Sequence, residues 1–434
     1  MTALIILAVV FTALLLFGVP VSFCIGIATL LALFTVTPTI DTALIVSAQR
    51  VASSLDSFTL VAIPLFILAG TLMNTGGIAL RLIDLAKVLV GWLPGSLAQI
   101  SVVANALFGA ISGSAVASAA SVGATLSPLQ RQAGYNMPIC AAANVAASPC
   151  GLLIPPSGAL IVYSLISGGT PIDVLFVAGY IPGILMAASV MIWLHIIARR
   201  GELPADIQRY TLKEAAIIFW RALPALAMVV IIMGGIVAGV FTATEAAGAA
   251  ALYTLILALL YRSLTLKKLL DAMLGAAVGT AVVMLMVGVS MTMSWLLAST
   301  GAVTMIADAI TGFSDSPWVL LLLFNVLLLL LGTFLDITPG LLILTPIFLP
   351  VAMKLGISPV HFGIIITFNL CIGIATPPVG STLFVAARVA KVSLTELTKP
   401  LLPMFAFMIA ALMLVTYVPA LSLWLPQVLL GKTG

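Results

Sequence analysis

Apolar residues come in runs of about twenty, each long enough to cross a bilayer as helix, and such runs recur along the whole chain. Period-two alternation is missing, which excludes a transmembrane β-barrel. The first runs predict spans at about 3–17, 20–36, 60–74 and 172–198, with a tight break at Gly18-Val19-Pro20. Residues 37–57 read as a polar connection carrying Asp41, Arg50, Asp56 and Ser57. Residues 76–92 place Arg81, Asp84 and Lys87 on an amphipathic pattern, as expected of a helix along the membrane interface. Residues 94–134 are apolar yet dense in small residues, with FGAISGSAVASAASVG near the middle. This pattern predicts a re-entrant hairpin that enters and leaves on one side.

The stretch 138–167 cannot be one continuous helix. Pro149, Pro155 and Pro156 remove backbone donors and clash with the preceding turn, while Gly151 and Gly158 add backbone freedom. Two half-helices joined by unwound chain are expected. In lipid such a break survives only buried in protein or lining a polar cavity. A second copy follows: Gly151, Pro155, Pro156 and Gly158 recur as Gly373, Pro377, Pro378 and Gly380, 222 positions later in every case. Pro350 follows Pro128 by the same offset, and Thr300-Gly301 echoes Thr75-Gly76. The second copy predicts a hairpin over 317–356, a broken helix over 359–387 and a last span over 400–423. The chain therefore reads as an all-α polytopic membrane protein of two repeats, 1–198 and 222–434, joined by a polar linker at 199–221. Each repeat holds five crossings, a re-entrant hairpin and a Pro-broken helix. Five is odd, so the repeats are inverted. Paired broken helices at matching positions are the best sequence pointer to a transporter's binding site.

Composition supports this picture. The 434 residues are 63% hydrophobic and 7% charged, where a soluble chain carries roughly a quarter charged residues. The net charge of +4 reflects loop lysines and arginines, a topology signal and not a nucleic-acid footprint. The linker holds Arg199, Arg200, Arg209, Lys213 and Arg221 and is assigned to the cytoplasm. Arg81, Lys87, Arg131, Arg262, Lys267, Lys268, Arg388, Lys391 and Lys399 then also fall inside, and both termini fall in the periplasm. Arg50, Lys354 and Lys432 are exceptions. Residues 2–36 lack the basic start and short apolar core of a signal peptide. Cys24, Cys140, Cys150 and Cys371 sit in apolar runs and read as small buried residues, neither disulfides nor metal ligands.

Catalytic sets are missing. His195 and His361 stand alone at the edges of spans, and no Walker-type glycine loop is present, so ATP hydrolysis by this chain is excluded. Any work must come from a gradient or a partner. The hairpin centres hold the candidate chemistry. Ser112-Gly113-Ser114 reads as a functional tip, because glycine between serines unwinds chain and leaves oxygens exposed. Ser118, Ser121 and Thr345 read as small residues that permit close packing. The second centre supplies Thr333, Asp336 and Thr338. An ionisable residue within an intramembrane segment is functional by default, though Asp336 also suits a helix N-cap. Pro339 and Gly340 are expected to stop helix from running through this hairpin. Each hairpin centre should meet the broken helix of its own half. Unwound carbonyls there can replace a cation's hydration shell, and half-helix N-termini can face an anion. Asn144 is a candidate oxygen donor in the first half, as are Thr376, Ser381 and Thr382 in the second. Glu245, between two spans, suits a cap as well as a functional role.

The motifs ISGSAVA, LIPPS, FLDIT, LLILTP and TPPVG, set on two hairpins and two broken helices, resemble the large membrane subunit of a tripartite ATP-independent periplasmic (TRAP) transporter. The resemblance spans essentially the whole chain. It implies an elevator-type carrier of the bacterial inner membrane. Its implied partners are a separate small four-helix membrane subunit and a periplasmic solute-binding protein. It implies sodium-coupled uptake, with two or more Na+ ions and no ATP, of a carboxylate such as sialic acid or a C4-dicarboxylate. Carried onto this chain, the first sodium site comprises Ser112, Gly113, Ser114, Asn144 and Gly151. The second comprises Gly332, Asp336, Thr338, Gly373, Thr376 and Pro377. The substrate is expected at Ser112, Ser114, Pro155, Pro156, Ser157, Pro378, Ser381 and Thr382. Relatives often place an acidic residue just after SGSAVA, where this chain has Ser118. The competing reading is a stand-alone ion-coupled anion symporter of the same architecture. A membrane enzyme lacks its catalytic sets here, and a channel is disfavoured by two occluding hairpins.

Overall fold

Prolines, glycines and capping side chains set where the helices stop. A computed structural model of the chain describes residues 2–75, 78–204, 206–312, 314, 316–377 and 380–432, and every regular element in it is helical. The first half contains α1 (Thr2–Leu16), α2 (Val21–Leu33), α3 (Ile40–Leu55), α4 (Ala62–Thr75) and α5 (Ile78–Val90). A hairpin follows as α6 (Ser96–Ser112) and α7 (Ala115–Gln132). The broken helix is α8 (Met137–Ala147), α9 (Cys150–Leu153) and α10 (Gly158–Ile166), and α11 (Ile172–Arg199) closes the half. The second half contains α12 (Leu212–Val237), α13 (Ala243–Leu260), α14 (Leu266–Ser299) and α15 (Ala302–Thr311). Its hairpin is α16 (Pro317–Gly332) and α17 (Ile337–Lys354), and its broken helix is α18 (Pro359–Gly373) and α19 (Ser381–Ala390). The chain ends with α20 (Leu394–Tyr417) and α21 (Ala420–Leu430).

Among the described residues, six single helices are long and apolar enough to cross a membrane. The stretch Met137–Leu153 with Gly158–Ile166 adds a seventh span, bent by 51°. The 222-residue offset carries into three dimensions. Helix α7 shifted by 222 becomes α17 at both ends, and the first residues of α2 and α11 become those of α13 and α20. The halves also differ: α3 and α4 correspond to a single 34-residue helix, α14, and α9 and α21 have no separate counterparts.

Three expectations are corrected. Residues 40–55 are not a loop but helix α3, because the Thr39 hydroxyl accepts the Thr42 N–H at 3.2 Å and Asp41 lies in the first turn, both favourable at a helix N-terminus. The linker is shorter than 199–221, because a reciprocal Thr211–Glu214 cap starts α12 at Leu212. Helix α5 does not stand free along an interface. Leu82, Ile83 and Ala86 are buried, and the helix packs on α6 and α12, while Leu80 and Leu89 stay exposed. The Arg81 guanidinium lies 3.4 Å from the centre of the Tyr261 ring, a desolvated cation–π contact.

The shortened linker is pinned to the base of the first hairpin. Buried Tyr135 accepts the Leu97 N–H at 3.2 Å, and its hydroxyl donates to the Asp206 carboxylate. Burial, with Asp206 beside it, pushes the Tyr135 phenol well above its usual value, so it remains a donor. Tyr135→Phe should therefore cost about 1–3 kcal/mol, since it strips the buried Leu97 N–H and the half-buried Asp206 carboxylate of this partner. A thermal melt of the variant in detergent checks this; an unchanged midpoint would mean the linker is not held here.

The packing groups the helices into two bodies that meet along α4 and α6 and along α14 and α17 and share one continuous core. Helices α2, α3, α4 and α13 pack with α14 or with one another. The hairpins and broken helices pack together with α11 and α20. The site lies where α4 and α14 of the first body face the hairpin tips of the second.

Candidate functional site

Both hairpin tips are short because the local sequence ends one helix and caps the next. Helix α6 stops at Gly113, whose φ of +63° favours glycine. Ser114 then caps α7 by accepting the Ala117 N–H at 3.2 Å. In the second hairpin, α16 ends at Gly332 and residues 333–336 turn. Asp336 caps α17 and accepts the Ile337 N–H at 2.8 Å. The expectation that Pro339 and Gly340 make this break is corrected. Both lie in the first turn of α17, where a helix needs no N–H from proline.

The broken helices repeat a matched device. Ser157 donates its hydroxyl to the Leu152 carbonyl, and the Thr382 hydroxyl donates to the Ile374 carbonyl at 2.9 Å. These carbonyls are 222 residues apart. Each break meets the tip of its own half through paired glycines. A Cβ on Gly151 would lie 2.2 Å from the Gly109 carbonyl carbon, and one on Gly373 would lie 2.5 Å from that of Gly332. The second arms, however, cross over: α10 packs on α17, and α19 packs on α7. The halves interlock about a point where residues 222 apart touch, the Cys371 thiol lying 3.6 Å from the Pro149 carbonyl.

A cavity of about 220 Å³ opens between the tips. Ser112, Gly113, Ser114, Pro156, Asp336 and Thr338 line it, so six of the expected residues converge from both halves. Asp336 also borders an adjoining pocket of about 40 Å³ with Gly332, Ile374, Gly380 and Ser381. The Ser381 hydroxyl is buried there without a hydrogen-bond partner.

Other expected residues lie elsewhere. Gly151 and Gly373 are consumed in the glycine crossings, and Ser157 and Thr382 in tying off carbonyls. Pro155 is buried, Thr376 bonds the Ile372 carbonyl at 2.7 Å with Pro377 next in the turn, and Pro378 lies outside the described residues. Asn144 belongs to a buried chain of amides. Its oxygen accepts from Asn105 at 2.8 Å, its nitrogen donates to the Ala119 carbonyl at 2.8 Å, and Ser118 donates to Asn105 at 2.7 Å. The second half has its own amide pair, Asn369 donating to Asn325 at 2.7 Å. Asparagines inside apolar runs were the available signal for these networks. Glu245 caps α13, accepting the Thr242 N–H at 2.8 Å. Sequence reasoning missed Ile63, Phe66 and Ile67 of α4 and Val283 of α14, which wall the cavity opposite the tips. Apolar residues in apolar spans carry no signal of such a role.

With this geometry in view, comparison with known proteins is informative. The family described as "Tripartite ATP-independent periplasmic transporter, DctM component" matches residues 8–421. An uncharacterized protein, YgiK, of Salmonella typhimurium is 50% identical over 96% of this chain and 95% of its own length. The sialic acid TRAP transporter large permease protein SiaM of Vibrio cholerae is 39% identical over 95% of this chain and 96% of its own. The C4-dicarboxylate TRAP transporter large permease protein DctM of Pseudomonas aeruginosa is 39% identical over 88% of this chain and 89% of its own. Among solved structures, the YdaH transporter of Alcanivorax borkumensis superposes with a TM-score of 0.59 at 16% identity, over 84% of this chain and 86% of that one. At that identity the likeness is one of fold.

Proposed function

The chain belongs to the tripartite ATP-independent periplasmic transporter family as a DctM component, and from that premise we propose that it imports a carboxylate solute driven by sodium entry. Relatives named for sialic acid and for C4-dicarboxylate support the cargo class. The carrying observation is the charge of the cavity. Asp336 lines it, and no lysine, arginine or histidine does so among the described residues. An anionic cargo beside this carboxylate, away from bulk water, is unfavourable unless a cation accompanies it. The adjoining pocket suits that cation. Its polar side chains, Thr333, Asp336 and Ser381, offer only oxygens, a set preferred by hard ions, and the buried Ser381 hydroxyl has no hydrogen-bond partner.

The two-body packing supports an elevator mechanism, in which the hairpin body slides along α4 and α14 carrying the cavity. The apolar wall of Ile63, Phe66, Ile67 and Val283 offers no hydrogen bonds that sliding would break. A small four-helix membrane subunit and a periplasmic solute-binding protein are the proposed partners, with the linker cytoplasmic and both termini periplasmic. A stand-alone symporter would instead take up solute into proteoliposomes without either partner.

Asp336→Asn tests the sodium role. The amide keeps the shape and one acceptor for the Ile337 N–H, so the variant should fold and insert. Its half-saturating sodium concentration for uptake should rise by the equivalent of about 1–3 kcal/mol, the loss of a charged hydrogen-bond-strength contact. Sodium titration of uptake at matched membrane expression reads this. An unchanged sodium dependence with normal maximal rate would leave Asp336 as a helix cap only.

A further inference from the structure

The walls of the cavity differ in chemistry, and that difference narrows the cargo. On the tip side stand Ser112, Ser114, Asp336 and Thr338, with the backbone of Gly113 between the serines. Opposite them are Ile63, Phe66, Ile67 and Val283, which carry no side-chain donor or acceptor. The arms between add apolar surface from Val116 and Val162. The volume, about 220 Å³, is below the roughly 300–1,000 Å³ of sites that enclose larger ligands.

We infer that the preferred cargo is a short monocarboxylate with an unsubstituted apolar tail, and that polyhydroxylated sugar acids and dicarboxylates are rejected. This rests on the carrier reading above and deepens it. The single carboxylate is placed against the hydroxyls and backbone of the first tip, and the tail lies against α4 and α14. A sugar acid would present several hydroxyls to Ile63, Phe66 and Val283. Each hydroxyl facing an apolar wall lowers selectivity for its bearer by roughly a hundredfold at most, and several together make exclusion strong. A second carboxylate there would be desolvated with no donor to meet it. Phe66 is then the specificity-determining residue, since it is the largest side chain that α4 and α14 contribute to the lining.

The test uses the purified full-length chain in detergent with sodium present. Thermal midpoints are measured in butyrate, succinate and N-acetylneuraminate at equal concentration, because a ligand that binds the folded state raises the midpoint. We expect butyrate to stabilise the protein at least tenfold more potently than either other probe. Phe66→Asn, which adds an amide and frees space, should reverse that order toward N-acetylneuraminate while keeping the same unliganded midpoint to within a few degrees. Equal or stronger stabilisation by N-acetylneuraminate or succinate would overturn the inference. So would no stabilisation by any of the three. In either case the sodium titration of uptake reports separately whether the carrier reading stands.

Discussion

Gly151→Ala should abolish the well-folded carrier. Its Cβ would meet the Gly109 carbonyl carbon at 2.2 Å, the Gly109 Cα at 2.3 Å and the Ala110 nitrogen at 2.4 Å. All three are backbone atoms, so no side chain can rotate away. The only relief is to push α6 off the broken helix, which also pulls Ser112-Gly113-Ser114 away from the cavity. The cost is at least about 3 kcal/mol, the upper end of overpacking penalties. Gly373→Ala should behave alike, because the Gly332 carbonyl oxygen and carbon both lie 2.5 Å from its Cβ. Gly234→Ala is the matched control, since nothing lies within 4 Å of that position. Fluorescence-detected size exclusion and thermal melts of the three variants read the difference. If Gly151→Ala elutes and melts like Gly234→Ala, the tip and the break are not in backbone contact in the working protein.

Gly70→Ala should leave a folded protein whose conformational balance has moved. A Cβ on Gly70 would lie 2.5 Å from the Ser112 carbonyl oxygen, so α4 is the seat of the first tip. This contact joins the two bodies and exists only while the tip rests there. A methyl group at Gly70 therefore penalises this arrangement and leaves any other untouched. Overpacking of about 1–3 kcal/mol would shift the balance by roughly 5- to 150-fold. A ligand or mutation acts on such an equilibrium only through a difference between its states. Solute uptake should fall steeply, and thiol labelling of a cysteine placed at Val283 should accelerate as the tip withdraws. Unchanged uptake together with unchanged labelling would show that the seat is not part of the cycle.

The breaks were legible in the sequence because proline and glycine act on the backbone directly. Gly113, Pro155, Pro156 and Gly373 each mark a real interruption. The 222-residue repeat was legible for the same reason. Pro339 misled, because a proline inside a helix interior and one in a first turn look alike in a string of letters. Asn144 was ambiguous in a different way. Its oxygen could face an ion or another amide, and the position of Asn105 on α6 supplies the amide. The crossing of α10 to α17 and of α19 to α7 left no trace. Apolar helix faces of similar residues fit many partners, so the choice is made by the whole assembly. The α4 wall was invisible on the same grounds.

The crossed arms also constrain how the molecule can be made. Helix α10 ends at Ile166, but its partner α17 begins at Ile337. Throughout that interval of translation the first half sits in the membrane with one face of α10 uncovered. Helix α7 waits longer still, until α19 emerges at Ser381. Neither hairpin has its full set of neighbours before nearly the whole chain has left the ribosome. The crossing helix of the second half is therefore among the last to dock.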